Sequence, residues 1–178
     1  MIDTANFTIN PLAENDTNQL HHFILSNSER LKRYFPVTLS SNQTLEKSVE
    51  YIALRNKEIE EKTNFTLAIR NKNSQQIIGL IILKKIDWAK KQGEFAYCIG
   101  VEFEGKGLTS FAVNQMIQFA FEDLGLKTLQ IIAHKTNLGS INVALKNGFT
   151  WQRTLLNEFT PTGEAPLDME LYELHNER

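Results

Sequence analysis

Two glycines, Gly105 and Gly107, flank Lys106 just before a strongly apolar helical pattern. The first N–H groups of a helix have no partner inside it, and the helix dipole adds partial positive charge at the same end. Glycine lets the backbone approach a ligand closely and adopt positive φ. The pattern therefore predicts a phosphate-binding loop to which Lys106 adds a charge. The alternative is a glycine-rich turn that only reverses the chain.

This loop differs from two common nucleotide-binding loops. It lacks the Gly-Lys-Ser/Thr ending of a P-loop. It also lacks the third glycine of a dinucleotide-binding loop, and the strands before it have an antiparallel pattern. Neither class of nucleotide-binding protein is favoured.

A second group of small and polar residues follows further along the chain, where Asn137 and Ser140 precede Asn142 and the pair Gly148 and Phe149. Helix capping is the commonest use of Asn and Ser in such a position. Gly148 is typical of a helix end and Phe149 of a core residue. Their order after the glycine loop, rather than any single residue, indicates a binding function.

The other candidate nucleophiles and metal ligands give weaker patterns. Cys98 is the only cysteine, and we expect it to be a small buried apolar side chain. The four histidines show no metal-ligand spacing, so no metal site is predicted. They are His21, His22, His134 and His175.

Length and composition exclude several classes of protein. The chain has 178 residues, 42% apolar and 22% charged, with a formal net charge of -2. This balance predicts one globular domain over residues 1–178 and argues against a nucleic-acid binder, which needs a basic surface. No apolar run approaches the ~20 residues of a membrane span. Since neither a signal peptide nor an internal disulfide is expected, we predict a cytoplasmic location.

The N-terminal third has the pattern of helices that would support these motifs. We expect a helix capped by Asp16 or Thr17, a short helix from Ser28 that ends before Pro36, and a longer one from about Thr44. On the longer helix the apolar residues form one stripe opposite the charged residues. They are Leu45, Val49, Ile52 and Ile59.

After these helices the apolar period changes to two, which is typical of strands. Three antiparallel strands are predicted over 65–69, 77–83 and 95–101. The glycine loop then opens a helix that Gly125 ends. Further elements are a strand over 129–133, a helix over 140–146, and strands over 149–155 and 168–174. Strand, loop, helix and strand make a βαβ crossover, so the fold class is mixed α/β with one sheet covered by helices.

The order of these motifs resembles the GNAT superfamily of acetyl-CoA-dependent N-acetyltransferases over most of the chain. Residues 94–100, 103–109 and 137–149 are similar to the fourth strand, the pyrophosphate loop and the second cofactor segment of its RimJ/RimL-type branch, the ribosomal-protein N-terminal acetyltransferases. The chain departs from the family pattern at three positions, which affects the expected substrate preference and leaves the fold prediction unchanged. These are Glu102 in place of Gln or Arg, Ala96 in place of Gly, and Cys98 in place of an aromatic residue.

The resemblance implies a GNAT fold, a twisted, mostly antiparallel sheet of about seven strands flanked by helices, with splayed central parallel strands. It also implies acetyl-CoA as co-substrate. The backbone of 98–101 would pair with the pantetheine arm, and the amides of 105–109 would hold the pyrophosphate. The implied cofactor-binding residues are Cys98, Ile99, Val101, Gly105, Lys106, Gly107, Leu108, Thr109, Asn137, Ser140 and Asn142.

The implied reaction is direct attack of an amine on the thioester, without a covalent enzyme intermediate. Ser140 matches the hydroxyl proposed to protonate the leaving thiolate, and Glu158 matches the carboxylate assigned as base. Glu94 and a water relay are the alternatives for the base. An α-amine has a pKa of about 7.7–8.0, so part of it is already neutral at pH 7 and a weak base is sufficient. A lysine amine has a pKa of about 10.4 and depends far more on a base to remove its proton.

Three functions stay open. The first is acetylation of a protein N-terminal α-amine, with a ribosomal protein suggested by the branch name. The second is acetylation of a small amine such as a polyamine or an aminoglycoside. The third is a module that binds acetyl-CoA as a sensor without turnover. The expected partner is the acceptor amine; a homodimer is left open, and neither nucleic acid nor a membrane is expected.

Overall fold

The computed structural model describes residues 2–176; Met1 and residues 177–178, which belong to the expected domain 1–178, lie outside the described residues. The described chain forms six α-helices and eight β-strands. The helices are α1 (Thr17–Ser26), α2 (Ser28–Tyr34), α3 (Pro36–Ser40), α4 (Leu45–Glu60), α5 (Leu108–Gln118) and α6 (Leu138–Lys146). The strands are β1 (Ile2–Asp3), β2 (Phe7–Pro11), β3 (Phe65–Asn71), β4 (Ile77–Asp87), β5 (Gln92–Ile99), β6 (Thr128–Ala133), β7 (Thr150–Phe159) and β8 (Leu167–His175).

All eight described strands belong to one sheet, in the order β1-β2-β3-β4-β5-β6-β8-β7. The sheet is mostly antiparallel, and β5 and β6 form a parallel pair in its middle. The predicted mixed α/β fold is therefore confirmed, with eight strands instead of about seven.

The N-terminal third was predicted to be helical, and the structure shows that two strands, β1 and β2, precede its helices. β2 pairs antiparallel with β3, and Ile9 lies opposite Ile69. Phe7 and Ile9 are buried while Thr8 and Asn10 are half-buried, so the period of two is present in the sequence. The run is only five residues long, which is too short to stand out beside the helical pattern that follows.

The chain divides into two compact units. The first comprises the chain up to Ile82 together with Tyr97–Lys106, and it contains α1 to α4. Its core joins apolar side chains of α1, α2, α4, β3 and β4. Examples are Leu20, Ile24, Leu31, Ile52, Ala68 and Leu80.

Helix α4 starts as predicted, because the Thr44 side chain accepts the N–H of Lys47. The predicted apolar stripe is wrong for Leu45 and Val49, which are exposed. The buried residues are Ser48, Tyr51 and Ile52, which follow the i, i+3, i+4 spacing of one helix face. Ser48 and Tyr51 supply most of this face, so a search for aliphatic residues alone selects the wrong side.

Asp16 does not cap α1 with its side chain. Its carboxylate accepts the N–H of Ala13 at 2.6 Å and forms a buried ion pair with Arg70, whose Nη1 lies 3.0 Å from Oδ1. Because a buried charge needs a partner, this pair determines the Asp16 conformation.

The second unit comprises Leu83–Ala96 together with the chain from Gly107 onward. Its β5 residues run parallel to β6, from Gln92 opposite Thr128 to Phe95 opposite Ile131, and β6 pairs antiparallel with β8. Helix α5 continues into a π-helical turn, Phe119–Asp123. Gly125, at a φ of 69°, follows that turn as predicted.

Candidate active site

Both glycines of the loop before α5 adopt left-handed backbone conformations. Gly105 has a φ of 70° and Gly107, which directly precedes α5, has a φ of 74°. A Cβ placed on either glycine would meet no atom within 4 Å. The backbone conformation therefore favours glycine here, and the space in front of the loop is open.

The amides of this loop are available as hydrogen-bond donors. Within the described chain, the N–H groups of 105–110 have no hydrogen-bond acceptor, and the first bonded amide is that of Phe111, which donates to Gly107 O at 3.0 Å. The positive end of the α5 dipole lies at the same place. Donors without acceptors beside an open space fit a phosphate group, the ligand that the sequence predicted.

Lys106 lies within this loop, and its Nζ is 5.5 Å from the centre of the Phe103 ring. A cation over an aromatic face is held by electrostatic attraction. The neighbouring Glu104 pairs with Arg30 at the surface. Lys106 is therefore the charged residue within the loop that could contact an anion bound at these amides.

In the first unit, residues 98–101 are held by bonds to neighbouring elements. Gly100 donates its N–H to Ile78 O at 2.8 Å, and the N–H of Val101 lies 3.4 Å from Asn27 Oδ1. Burial raises the pKa of the Cys98 thiol to about 12. Because such a thiol stays protonated at neutral pH, it is unsuited to act as a nucleophile.

Helix α6 begins two residues earlier than predicted and is capped by Asn137, whose Oδ1 accepts the N–H of Ser140 at 3.2 Å. The capping role considered for Asn137 is therefore present. Ser140 is half-buried in the first turn, and Asn142 is exposed. Gly148, at a φ of 82°, follows the end of the helix.

Asn147, the residue that follows α6, joins two helices through its side chain. Its Nδ2 donates to Ser110 O at 3.1 Å, to Ser110 Oγ at 3.0 Å and to Val143 O at 2.8 Å. This side chain therefore ties α6 to the first turn of α5. An Asn-Gly pair after a helix reads as a turn, so the sequence gives no signal for the contact with Ser110.

Glu94 is a buried carboxylate that two lysines neutralise. It is 6% exposed, and Lys84 Nζ lies 2.9 Å from its Oε1 while Lys85 Nζ lies 2.9 Å from its Oε2. Burial lowers the pKa of Lys85, but the hydrogen bond and charge of Glu94, with a contribution from Glu158, leave that pKa raised above its ordinary value. Lys85 is therefore a cation at neutral pH.

Glu158 lies on an irregular part of β7. The register with β8 changes between Leu155 and Phe159, and Asn157 has a φ of 53°. The N–H of Asn157 donates to Asp168 Oδ1 at 2.9 Å, which holds this bulge. Lys85 Nζ lies 3.8 Å from Glu158 Oε1. One ammonium group thus joins Glu94 and Glu158, the two carboxylates considered as the base.

Lys84 and Lys85 were not recognised as site residues. Successive side chains of a regular strand point to opposite faces, so adjacent lysines should not reach one carboxylate. Lys85 has a φ of 50°, which breaks this alternation and lets both ammonium groups contact Glu94. A pair of lysines after an apolar run reads as the exposed end of a strand, and no sequence signal predicts the left-handed residue.

Among residues 2–176, no group of three or more His, Cys, Asp or Glu side chains is placed to hold a metal ion. Of the histidines, His21 Nδ1 lies 2.8 Å from Asn42 O and His134 Nδ1 lies 2.8 Å from Thr136 Oγ1. None of the helices in this range has the length and apolar character needed to cross a membrane.

Comparison with known proteins identifies the family. The Acetyltransferase (GNAT) domain family matches residues 6–150, which is most of the chain. The chain belongs to the GNAT acetyltransferases. It is therefore an N-acetyltransferase that uses acetyl-CoA, and the resemblance to this family stated from the sequence is confirmed.

Relatives of this GNAT acetyltransferase carry two kinds of name. The spermidine N(1)-acetyltransferase of Escherichia coli (strain K12) is 27% identical over 88% of this chain and 79% of its own. The putative ribosomal N-acetyltransferase YdaF of Bacillus subtilis (strain 168) is 29% identical over 80% of this chain and 76% of its own. The ribosomal-protein-S5-alanine acetyltransferase of Vibrio fischeri, a solved structure, shares the fold with a TM-score of 0.89 at 19% identity, covering 99% of this chain and 96% of its own.

Proposed function

We propose that this GNAT enzyme acetylates the α-amine of a protein N-terminus. A ribosomal protein is the class of acceptor that the RimJ/RimL-type resemblance favours, and YdaF carries a ribosomal name. Transfer is direct, from the thioester to the amine, in a complex that holds both substrates. The Cys98 thiol supports this, because its raised pKa keeps it protonated and leaves no nucleophile for a covalent intermediate.

The residues of the glycine loop fit the co-substrate. Acetyl-CoA supplies an acetyl group activated as a thioester, and its pyrophosphate needs several hydrogen-bond donors. The unbonded amides of 105–110 in front of an open space supply such donors. The proposed cofactor-binding residues are those that the family implies: Cys98, Ile99, Val101, Gly105, Lys106, Gly107, Leu108, Thr109, Asn137, Ser140 and Asn142.

Glu158 is the proposed base and Ser140 the proposed proton donor to the leaving thiolate. Glu94 is buried with an ammonium group at each of its oxygens, so water has little access to it. Glu158 keeps 36% of its side chain exposed and has one ammonium at a longer distance. Of the two carboxylates, Glu158 is therefore the one that is free to accept a proton through water.

The observation that favours an α-amine acceptor is the charge balance of this cluster. Its two carboxylates, Glu94 and Glu158, face two ammonium groups, Lys84 and Lys85. A polyamine carries further positive charges, and a carboxylate-lined groove with a net negative charge would attract it. An α-amine needs no such groove because about one in ten is already neutral at pH 7.

Acetylation of a polyamine is the second candidate. It is favoured by a spermidine N(1)-acetyltransferase at 27% identity, which covers a larger share of this chain than the ribosomal relative does. A family that contains both kinds of enzyme does not decide the acceptor.

The test compares acceptors directly. The purified enzyme is given acetyl-CoA with spermidine or with peptides that begin with alanine, serine or methionine, and release of the CoA thiol is measured. Mass spectrometry then locates the acetyl group on the α-amine or on a lysine side chain. The proposal expects α-acetylated peptide and a higher kcat/KM for a peptide than for spermidine. A higher kcat/KM for spermidine than for every peptide would overturn it.

A cytoplasmic location stays a prediction of the sequence, and a homodimer stays open. The location rests on composition and on the lone Cys98, which allows no internal disulfide. Sedimentation of the purified chain measures the oligomeric state.

A further inference from the structure

Lys85 combines three features that a surface lysine at the end of a strand does not need. Its backbone is left-handed, with a φ of 50°. Its ammonium contacts two carboxylates of different exposure, Glu94 at 2.9 Å and Glu158 at 3.8 Å. Its side chain is nevertheless 61% exposed. Strained backbone of this kind persists where the surroundings require it, and it is concentrated at functional sites.

We propose that Lys85 is a specificity-determining residue that excludes polycationic acceptors from Glu158. The inference rests on the proposed function, in which Glu158 faces the acceptor amine. The Lys85 ammonium is the cation beside the accessible carboxylate of the cluster. It therefore occupies the place that a second ammonium group of a polyamine would take.

Polyamine and peptide acceptors differ in the number of positive charges that they bring near Lys85. When one amine of spermidine has lost its proton and can attack, the other nitrogens still carry positive charge at neutral pH. Those charges need carboxylate partners and are repelled by a fixed ammonium. A peptide with one α-amine brings no second cation at its reacting end, so Lys85 does not oppose it.

Lys84 supplies a matched comparison within the same cluster. It is the residue next to Lys85 and lies at the same 2.9 Å from Glu94. Lys84 pairs with Glu94, which is buried, whereas the exposed Glu158 is paired with Lys85. Removing either lysine changes the net charge of the cluster equally, but only removal of Lys85 uncovers Glu158.

The experiment measures the binding of spermidine, without acetyl-CoA, by titration calorimetry on the full chain and on K85M, K84M and K85R. We expect K85M to bind spermidine about three- to fivefold more tightly at low salt, the range that exposed ion pairs give, and to lose this gain at high salt. K85R and K84M should stay within about twofold of the wild-type Kd. In steady-state kinetics with acetyl-CoA, K85M should raise kcat/KM for spermidine relative to peptide by the same factor. The change should come from a lower KM for spermidine.

Two results would overturn the inference: K85M that binds spermidine no more tightly than the wild type, or an equal gain in K84M or K85R. If K85M does not fold, K85Q removes the same charge. Failure of the proposed function is distinguishable, because in that case the wild-type enzyme would not acetylate the peptides. The binding comparison between K85M and K84M still decides the role of Lys85 in that case.

Discussion

Replacing Gly105 by valine tests whether the loop before α5 binds the pyrophosphate. Gly105 has a φ of 70°, and a Cβ there would enter open space with no atom within 4 Å. A left-handed conformation costs a residue with a side chain about 1–2 kcal/mol. The free enzyme should therefore lose about that much stability without a steric clash, and the valine side chain should stand in front of the amides.

The effect on CoA binding follows from the hydrogen bonds that the side chain would block. A hydrogen bond to a charged group contributes about 1.5–3 kcal/mol. Loss of one such bond to the pyrophosphate should weaken CoA binding about ten- to a hundredfold. Titration calorimetry with CoA measures this loss, and denaturant unfolding measures the change in stability.

Gly163 offers a matched control in the connection between β7 and β8. It has a φ of 78°, and its Cβ position is equally open. Gly163→Val should therefore cost a similar amount of stability and leave the Kd for CoA unchanged. If Gly105→Val binds CoA as well as Gly163→Val does, the amides of this loop do not hold the pyrophosphate.

Three further predictions concern single side chains. Ser140→Ala is expected to lower kcat more than CoA affinity, and wild-type values for both would leave Ser140 with a structural role only. Asn147→Ala removes the bonds to Ser110 and Val143, so CoA should bind more weakly by calorimetry. Pantetheine lacks the pyrophosphate, and its binding should be less affected. An equal loss of affinity for CoA and pantetheine would contradict this. The Cys98 thiol, with a pKa of about 12 against an ordinary 9.0, should react with iodoacetamide at pH 8 about a thousandfold more slowly than an ordinary thiol. A rate close to that of free cysteine would contradict the raised pKa.

Features that depend on local chain chemistry were predictable from the sequence. Gly107 and Gly125 were placed correctly at the two ends of the helix and the turn that follows it, because glycine tolerates positive φ. Thr44 caps α4 as its residue type suggests. Strands β3 and β4 were also predicted correctly, β3 from the alternating apolar residues at 65–69 and β4 from the nearly continuous apolar run at 77–83.

Features that depend on distant partners were not predictable. The face of α4 that packs is set by its neighbours, which is why Ser48 is buried and Val49 is exposed. The partner of Asp16 is Arg70, 54 residues further along the chain. Likewise, Lys85 and Glu158 meet only because β4 is irregular at Lys85 and β7 has a bulge.

Under the proposed function, the choice of acceptor depends on features of this second kind, which are set by contacts between residues far apart in the sequence. The sheet and the loop before α5 serve any acetyl-CoA-dependent transfer, so likeness of fold carries no information on the amine. In our proposal the amine is selected by the charges that surround Glu158, the proposed base. In this chain those charges come from two carboxylates and two lysines on β4, β5 and β7. We therefore expect that replacing Lys85 alone alters this charge balance, and with it the preferred amine, while the sheet stays the same.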